Sequence, residues 1–195
     1  MINNLKVYKG VLIVVDMVNG FVNEGVLHDS NINKIVPRQI ELIKEHLANN
    51  NLVIFIKDTH NKDAKEFKRF DNTQHCAKGT RECELIDEFK GFENNKNVIS
   101  IEKNSTSFME APEFRKIIKE LVNVKKVDII GCCTDICVFN GSMGLANYFD
   151  EHNIDADVFV HTDAIATFNE NGRNNYIDAA MLLMEQQGIK LVKKR

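Results

Sequence analysis

The octapeptide at 131–138, GCCTDICV, gathers three of the chain's five cysteines, Cys132, Cys133 and Cys137, directly after the apolar run VDII (127–130). A thiol there can be a nucleophile, a metal ligand, half of a disulfide or a small core residue. Cys133 and Cys137 lie one helical turn apart, but no second cysteine pair stands at zinc-finger spacing, which argues against a structural zinc cluster. Adjacent Cys132 and Cys133 could form only a strained vicinal disulfide, which a reducing compartment disfavours. Both read as structural. Cys137 falls where a helix is expected to begin, and the unpaired N–H groups of a helix start favour a thiolate. Position alone leaves Cys137 open between a catalytic and a buried structural thiol.

Acids, bases and a cation recur at equivalent places elsewhere. Asp16 ends the run VLIVV (11–15), Asp58 and His60 follow LVIFI (52–56), Lys103 follows NVISI (97–101), and Asp163 follows ADVFV (156–160). Lys103 would lower the pKa of a neighbouring thiol, and Asp16 could take and return its proton. Asp58 and His60 are two apart, so in an extended segment both side chains point the same way. With His75 they would make a carboxylate and two imidazoles suited to Zn²⁺, Fe²⁺ or Mn²⁺. Read on residue types alone, the plainer description of these three is two solvated loop histidines and a surface aspartate.

The elements that must position these groups are legible as six short apolar runs, the five above and IKLV (189–192). Apolar at successive positions, they suit strands buried on both faces, as in a parallel sheet. Between them lie segments of helical spacing at 31–49, from Pro112 to Leu121, at 138–152 and at 173–187, the last closed by Gly188 as a C′ residue. Strand and helix alternate, which predicts an α/β fold with a mostly parallel six-stranded sheet, as one domain over 1–195. The segment 57–96 is long, polar and weakly periodic apart from a short helix near 81–89, and an excursion of that length tends to be functional. In open parallel sheets ligands bind beyond the carboxyl ends of the strands, where all these groups gather. His161 and Asp163 read as a capped turn, and His28, His46 and His152 as surface residues.

Composition bounds the partners. The 195 residues carry a formal net charge of −3 with 44% hydrophobic and 27% charged residues, which gives no electrostatic case for nucleic acid or an anionic membrane. No apolar run approaches the length needed to span a bilayer, and the short N-terminal run ends in Asp16 without a cleavage site. A cytoplasmic protein with reduced thiols is expected.

Three segments taken in order resemble the isochorismatase-like cysteine hydrolase superfamily, and within it the nicotinamidases (pyrazinamidases). VVDMVNGF (14–21) is similar to the aspartate segment, IEKNSTSF (101–108) to the lysine segment and GCCTDICV to the nucleophile segment. The resemblance covers nearly the whole chain. It implies a three-layer α/β/α fold, catalytic roles for Asp16, Lys103 and Cys137, and a pocket wall at Phe21. It also implies a cis peptide at Cys132–Cys133, with the N–H groups of Cys133 and Cys137 forming an oxyanion hole.

DTH (58–60) followed by HCAKGT (75–80) is similar to the pair that sets nicotinamidases apart from most relatives, which reverses the plainer reading of the histidines. It implies one divalent metal, zinc first and iron or manganese otherwise, on Asp58, His60 and His75. Some nicotinamidases supply a fourth ligand between the histidines, for which Glu66 is the candidate and Asp63 and Asp71 are rivals. The chain departs from the pattern in having no tryptophan and in carrying Asn104 to Thr106 where an aromatic residue often follows the lysine. Phe21 with Phe67 or Phe70 would then wall the pocket.

The resemblance implies hydrolysis of a small planar amide, nicotinamide to nicotinate and ammonia in NAD salvage, by a homo-oligomer. The alternatives are a metal-free hydrolase of the same superfamily acting on carbamoyl, ureido or vinyl-ether substrates, and a non-catalytic thiol-based binding or redox protein.

Overall fold

The structure, a computed structural model, describes residues 4–194. Its strands are β1 (Gly10–Val15), β2 (Leu52–Asp58), β3 (Val98–Lys103), β4 (Lys126–Cys132), β5 (Asp157–Ala166) and β6 (Lys190–Val192). The helices are α1 (Asn19–Val22), α2 (Val36–Ala48), α3 (Asp87–Lys90), α4 (Pro112–Glu120), α5 (Phe139–Glu151) and α6 (Glu170–Gln186). The strands form one sheet in the order β3-β2-β1-β4-β5-β6. Every pairing is parallel.

Alternate side chains of the strands feed two separate cores. Val11, Ile13, Val15, Ile54 and Ile129 pack with Phe114 and Ile118 of α4, Leu145 and Phe149 of α5 and Met184 of α6. Leu12, Val14, Val53, Phe55 and Ile130 pack with Phe21 of α1, Leu42 and Ile43 of α2 and Phe89 of α3. Burial on both faces is why β1 and β2 read as unbroken apolar runs. The result is the expected three-layer α/β/α sandwich.

The chain winds outward from β1 to β3 and then crosses to β4 on the other side of β1. Such a reversal opens a crevice at the carboxyl ends of β1 and β4, where flanking loops diverge. Gly131 makes the close approach of these two strands possible. At its φ of +125°, a Cβ would lie 2.0 Å from the carbonyl oxygen of Val15, so no other residue fits there without moving the backbone.

Three boundaries differ from the spacing-based reading. The helical segment 31–49 is two elements, a 3-10 helix at Ser30–Ile35 and then α2, with Pro37 in the first turn of α2. Pro37 has no N–H to continue a ladder from the preceding turn, so a helix must restart there. The short helix near 81–89 is likewise a 3-10 turn at Arg81–Cys83 followed by α3.

The third difference is that β5 runs on to Ala166, which puts His161 and Asp163 inside a strand rather than in a capped turn. His161 Nε2 lies 2.6 Å from Asp128 Oδ1, and His46 Nε2 of α2 lies 3.3 Å from Asp128 Oδ2. His46 is therefore buried, not at the surface as its place in α2 suggested. Asp128 points from the middle of β4 at the layer holding α2, and a buried carboxylate must be met by donors. His28 and His152 are exposed as expected.

Candidate active site

Asp16, the first residue beyond β1, has a left-handed backbone at φ +53°, uncommon for a residue with a side chain. Its N–H donates to the Ile56 carbonyl at 2.9 Å, and its own carbonyl accepts the Cys132 thiol at 3.1 Å. Gripped by β2 on one side and β4 on the other, its carboxylate is held in the crevice, fully buried. Strand register supplies the next two groups, because Asp58 and Lys103 are direct partners in the β2–β3 ladder. Lys103 Nζ lies 2.6 Å from Asp58 Oδ1, 2.9 Å from Asp16 Oδ2 and 3.7 Å from Cys137 Sγ. One ammonium thus joins both carboxylates and the thiol.

Cys137 sits in a five-residue π-helical turn, Thr134–Val138, that leads into α5. The widened turn is closed by the Val138 N–H, which donates to the Cys133 carbonyl at 3.1 Å. Single π turns of this kind are found disproportionately at functional sites. The peptide between Cys132 and Cys133 is cis. All five cysteines are unpaired.

Burial dominates the electrostatics. It raises the Asp16 carboxyl, which the Lys103 ammonium pulls back only in part, leaving it at about 7. At Asp58 burial pushes the same way, but Lys103 and His60 outweigh it and hold the carboxyl at about 2. Lys103 is itself opposed by burial, yet Asp16 and Asp58 keep it charged, well above the usual lysine range. The Cys137 thiol is pushed well above its usual range by burial, with Lys103 acting against that shift. The expectation that position and a nearby lysine would leave this sulfur ionised at rest is therefore not met. Lys103 is shared between two carboxylates, and a buried sulfur so placed keeps its proton until a base removes it.

Asp58, His60 and His75 are buried, and one ligand atom from each lies within 4.8 Å of the others. His60 Nε2 is 2.9 Å and His75 Nε2 3.9 Å from Asp58 Oδ2. Glu66, in the 3-10 helix Lys65–Phe70, is buried with Oε1 4.0 Å from His60 Nε2, whereas Asp63 and Asp71 are exposed.

The hydrogen bonds behind the rings test whether this set fits a cation. Asn104 Oδ1 accepts the Asn61 N–H at 3.0 Å and lies 3.3 Å from His60 Nδ1, and the Thr73 carbonyl lies 3.1 Å from His75 Nδ1. With both Nδ1 atoms donating, the neutral rings turn both Nε2 lone pairs toward the Asp58 carboxylate. Such facing acceptors need a proton, as on His60 when it pairs with Asp58, or a cation between them, and the residues fit a divalent ion. Asn104 stands where an aromatic residue was looked for, and no spacing rule pointed to it.

A small, mostly apolar cavity opens onto the thiol, lined by Phe21, Leu27, Asp58, Glu66, Phe70, His75, Cys133, Ile136, Cys137 and Phe168. Phe21 and Phe70 line it. Phe67 does not; its ring packs edge-on against His60 and His75, 5.3 Å from each, and supports the imidazoles. Leu27, Ile136 and Phe168 were not anticipated, because single apolar residues in turns carry no periodic signal. A larger groove between α4 and α5 has none of these site residues in its lining.

A family model described as the Isochorismatase domain matches residues 10–192. Nicotinamidase 1 of Arabidopsis thaliana is 29% identical over 174 residues, covering 81% of this chain and 69% of that protein. Among solved structures, the pyrazinamidase of Pyrococcus horikoshii in complex with zinc superposes with a TM-score of 0.76 at 24% identity, covering 95% of this chain and 99% of that one. The N-carbamoylsarcosine amidase of Thermoplasma acidophilum gives 0.73 at 24% identity, covering 95% and 96%.

Proposed function

Because the chain belongs to the isochorismatase family and is one of its hydrolases, we propose that it is a cysteine amidohydrolase converting nicotinamide to nicotinate and ammonia. The observation that carries this reading is convergence. Asp16, Lys103 and Cys137 meet beside Asp58, His60 and His75, and a ring-walled cavity reaches both groups. The likeness to Nicotinamidase 1 supports the substrate; on this reading the enzyme would serve NAD salvage, and a cytoplasmic homo-oligomer is the accompanying expectation.

In this mechanism the Cys137 sulfur attacks the carboxamide carbon while its proton passes to the Asp16 carboxylate, whose pKa of about 7 suits a base at neutral pH. Lys103 stabilises the negative charge gathering on the sulfur. The N–H groups of Cys133 and Cys137 take the oxyanion of the tetrahedral intermediate. Asp16 then gives its proton to the departing ammonia, leaving a thioester. A water deprotonated by Asp16 attacks the thioester, and nicotinate leaves as the proton returns to the sulfur. Proton transfer of this kind is worth about 10²–10⁴-fold. Asp58, His60, Glu66 and His75 would hold zinc, or iron or manganese, and a bound ion there would supply a Lewis-acidic point that orients the pyridine nitrogen.

The test is ammonia release from nicotinamide by purified protein and by Cys137→Ala. The parent should turn over and the variant should not; release persisting in the variant would rule out this nucleophile. Elemental analysis of His60→Ala and His75→Ala should show lost metal. Full turnover of ureido compounds by metal-free protein would favour the carbamoyl-hydrolase alternative instead.

A further inference from the structure

The cavity has one wall that neither the triad nor the metal ligands explain. Phe168 lies in the turn between β5 and α6, far along the chain from Phe21 and Phe70, yet lines the same cavity as Cys137. The turn is anchored from two directions. The Asn169 N–H donates to Asp29 Oδ2 at 2.9 Å, next to the segment carrying Leu27, and Thr167 Oγ1 donates to Asp135 Oδ1 at 2.8 Å.

Asp135 sits two residues before the nucleophile with its side chain 1% exposed. Its other oxygen, Oδ2, accepts Nε of Arg173 at 2.7 Å and Nη2 at 2.5 Å. The guanidinium carbon of Arg173 in turn lies 5.0 Å from the Phe168 ring centre and 5.1 Å from that of Tyr176.

A guanidinium that sets two N–H groups on one carboxylate oxygen while lying over two rings is restrained from several sides, and a lysine could not reproduce the arrangement. One side chain thus ties the nucleophile turn Asp135–Ile136–Cys137 to an aromatic wall of the cavity. An ion pair serving only to dock α6 would need neither ring.

We propose that Phe168 is a specificity-determining residue that limits the size of the substrate ring, and that Arg173, held by Asp135, is the positioning residue that sets it. This rests on the amidohydrolase reading above.

The test compares kcat and KM on nicotinamide and on a bulkier aromatic carboxamide, with ureido compounds as a third arm. The proteins are the parent, Phe168→Ala, Phe168→Tyr, Arg173→Gln and Arg173→Lys. An aromatic contact is worth enough that Phe168→Ala should raise KM for nicotinamide about threefold to tenfold, with kcat nearly unchanged. The preference for nicotinamide over the bulkier amide should fall by at least as much. Phe168→Tyr should restore both values. Arg173→Gln and Arg173→Lys should each shift the preference in the same direction, because neither keeps the paired N–H contacts and the stack together.

An unchanged KM and preference in Phe168→Ala would overturn the proposal. So would a loss confined to kcat that tracks melting temperature across the variants, since that is the mark of a merely structural turn. If the parent turns over only ureido substrates, the nicotinamide reading falls, and the wall is judged by the same ratios within that series.

Discussion

Asp16 must be a base when the sulfur attacks and an acid when ammonia leaves, so its pKa has to lie near the working pH. Burial supplies that, lifting the carboxyl to about 7 against the pull of Lys103. The sign is fixed by the step it begins. Only the carboxylate can take the thiol proton, so kcat/KM should rise with pH, reach half its plateau near pH 7, and be lost as pH falls below it. Asp16→Asn removes the base, and its rate should drop about 10²–10⁴-fold with the acid limb abolished. A pH–rate profile in which the variant keeps an inflection near pH 7 would assign that proton to another group. Burial also explains why residue-level reading of Cys137 went only halfway. The sequence puts a thiol at a helix start near a lysine, but the Asp16 and Asp58 carboxylates that share that lysine's charge are joined to it only by strand register.

Asp128 is the polar exception in β4, met by His161, His46 and Lys126, and it ties β4 to β5 and α2. Burial opposes its charge, but these three donors outweigh it and hold the carboxyl well below the usual range. A depressed carboxylate contributes stability that is present above the unfolded pKa of about 4 and lost as pH falls through and below it. Asp128→Asn should therefore cost about 3–5 kcal/mol at pH 7, the penalty for stripping one partner from a buried pair. The gap to the parent should narrow below about pH 4, and urea midpoints followed by circular dichroism at pH 7, 5 and 3.5 would measure it. A gap that does not change with pH would mean that packing, not charge, is what Asn disturbs. The same cluster marks the limit of element-level reading. The apolar runs located all six strands, most clearly the central ones, which are buried on both faces and leave an unbroken signal. The polar residues inside those elements carry none, so His46 looked solvated and His161 looked like a turn. Helix ends were misplaced where Pro37 forces a restart, although that residue was itself visible.

The excursion between β2 and α3 is where sheet and site depend on each other. Residues 76–78 return to the end of β2 through an isolated bridge, with the His60 N–H donating to the Cys76 carbonyl at 2.9 Å and the Lys78 N–H to the His60 carbonyl at 2.8 Å. Between them, residues 61–74 hold Glu66, Phe67 and Phe70 against the imidazoles with few backbone ties to the strands. A cation on Asp58, His60 and His75 would join the end of β2 to both ends of this excursion. Anything that binds only the folded state stabilises it by mass action, about 2.7 kcal/mol at a hundred times its dissociation constant. Chelation should thus lower the melting temperature, and limited proteolysis should then cut first within 61–74, while the strands stay protected. Zinc should restore both properties in the parent but not in His75→Ala, whose melting temperature should already match the chelated protein. Cleavage that starts elsewhere, or a chelated parent that melts where the zinc-loaded one does, would detach the excursion's order from the ion and leave its few hydrogen bonds and aromatic contacts as the whole of what holds it.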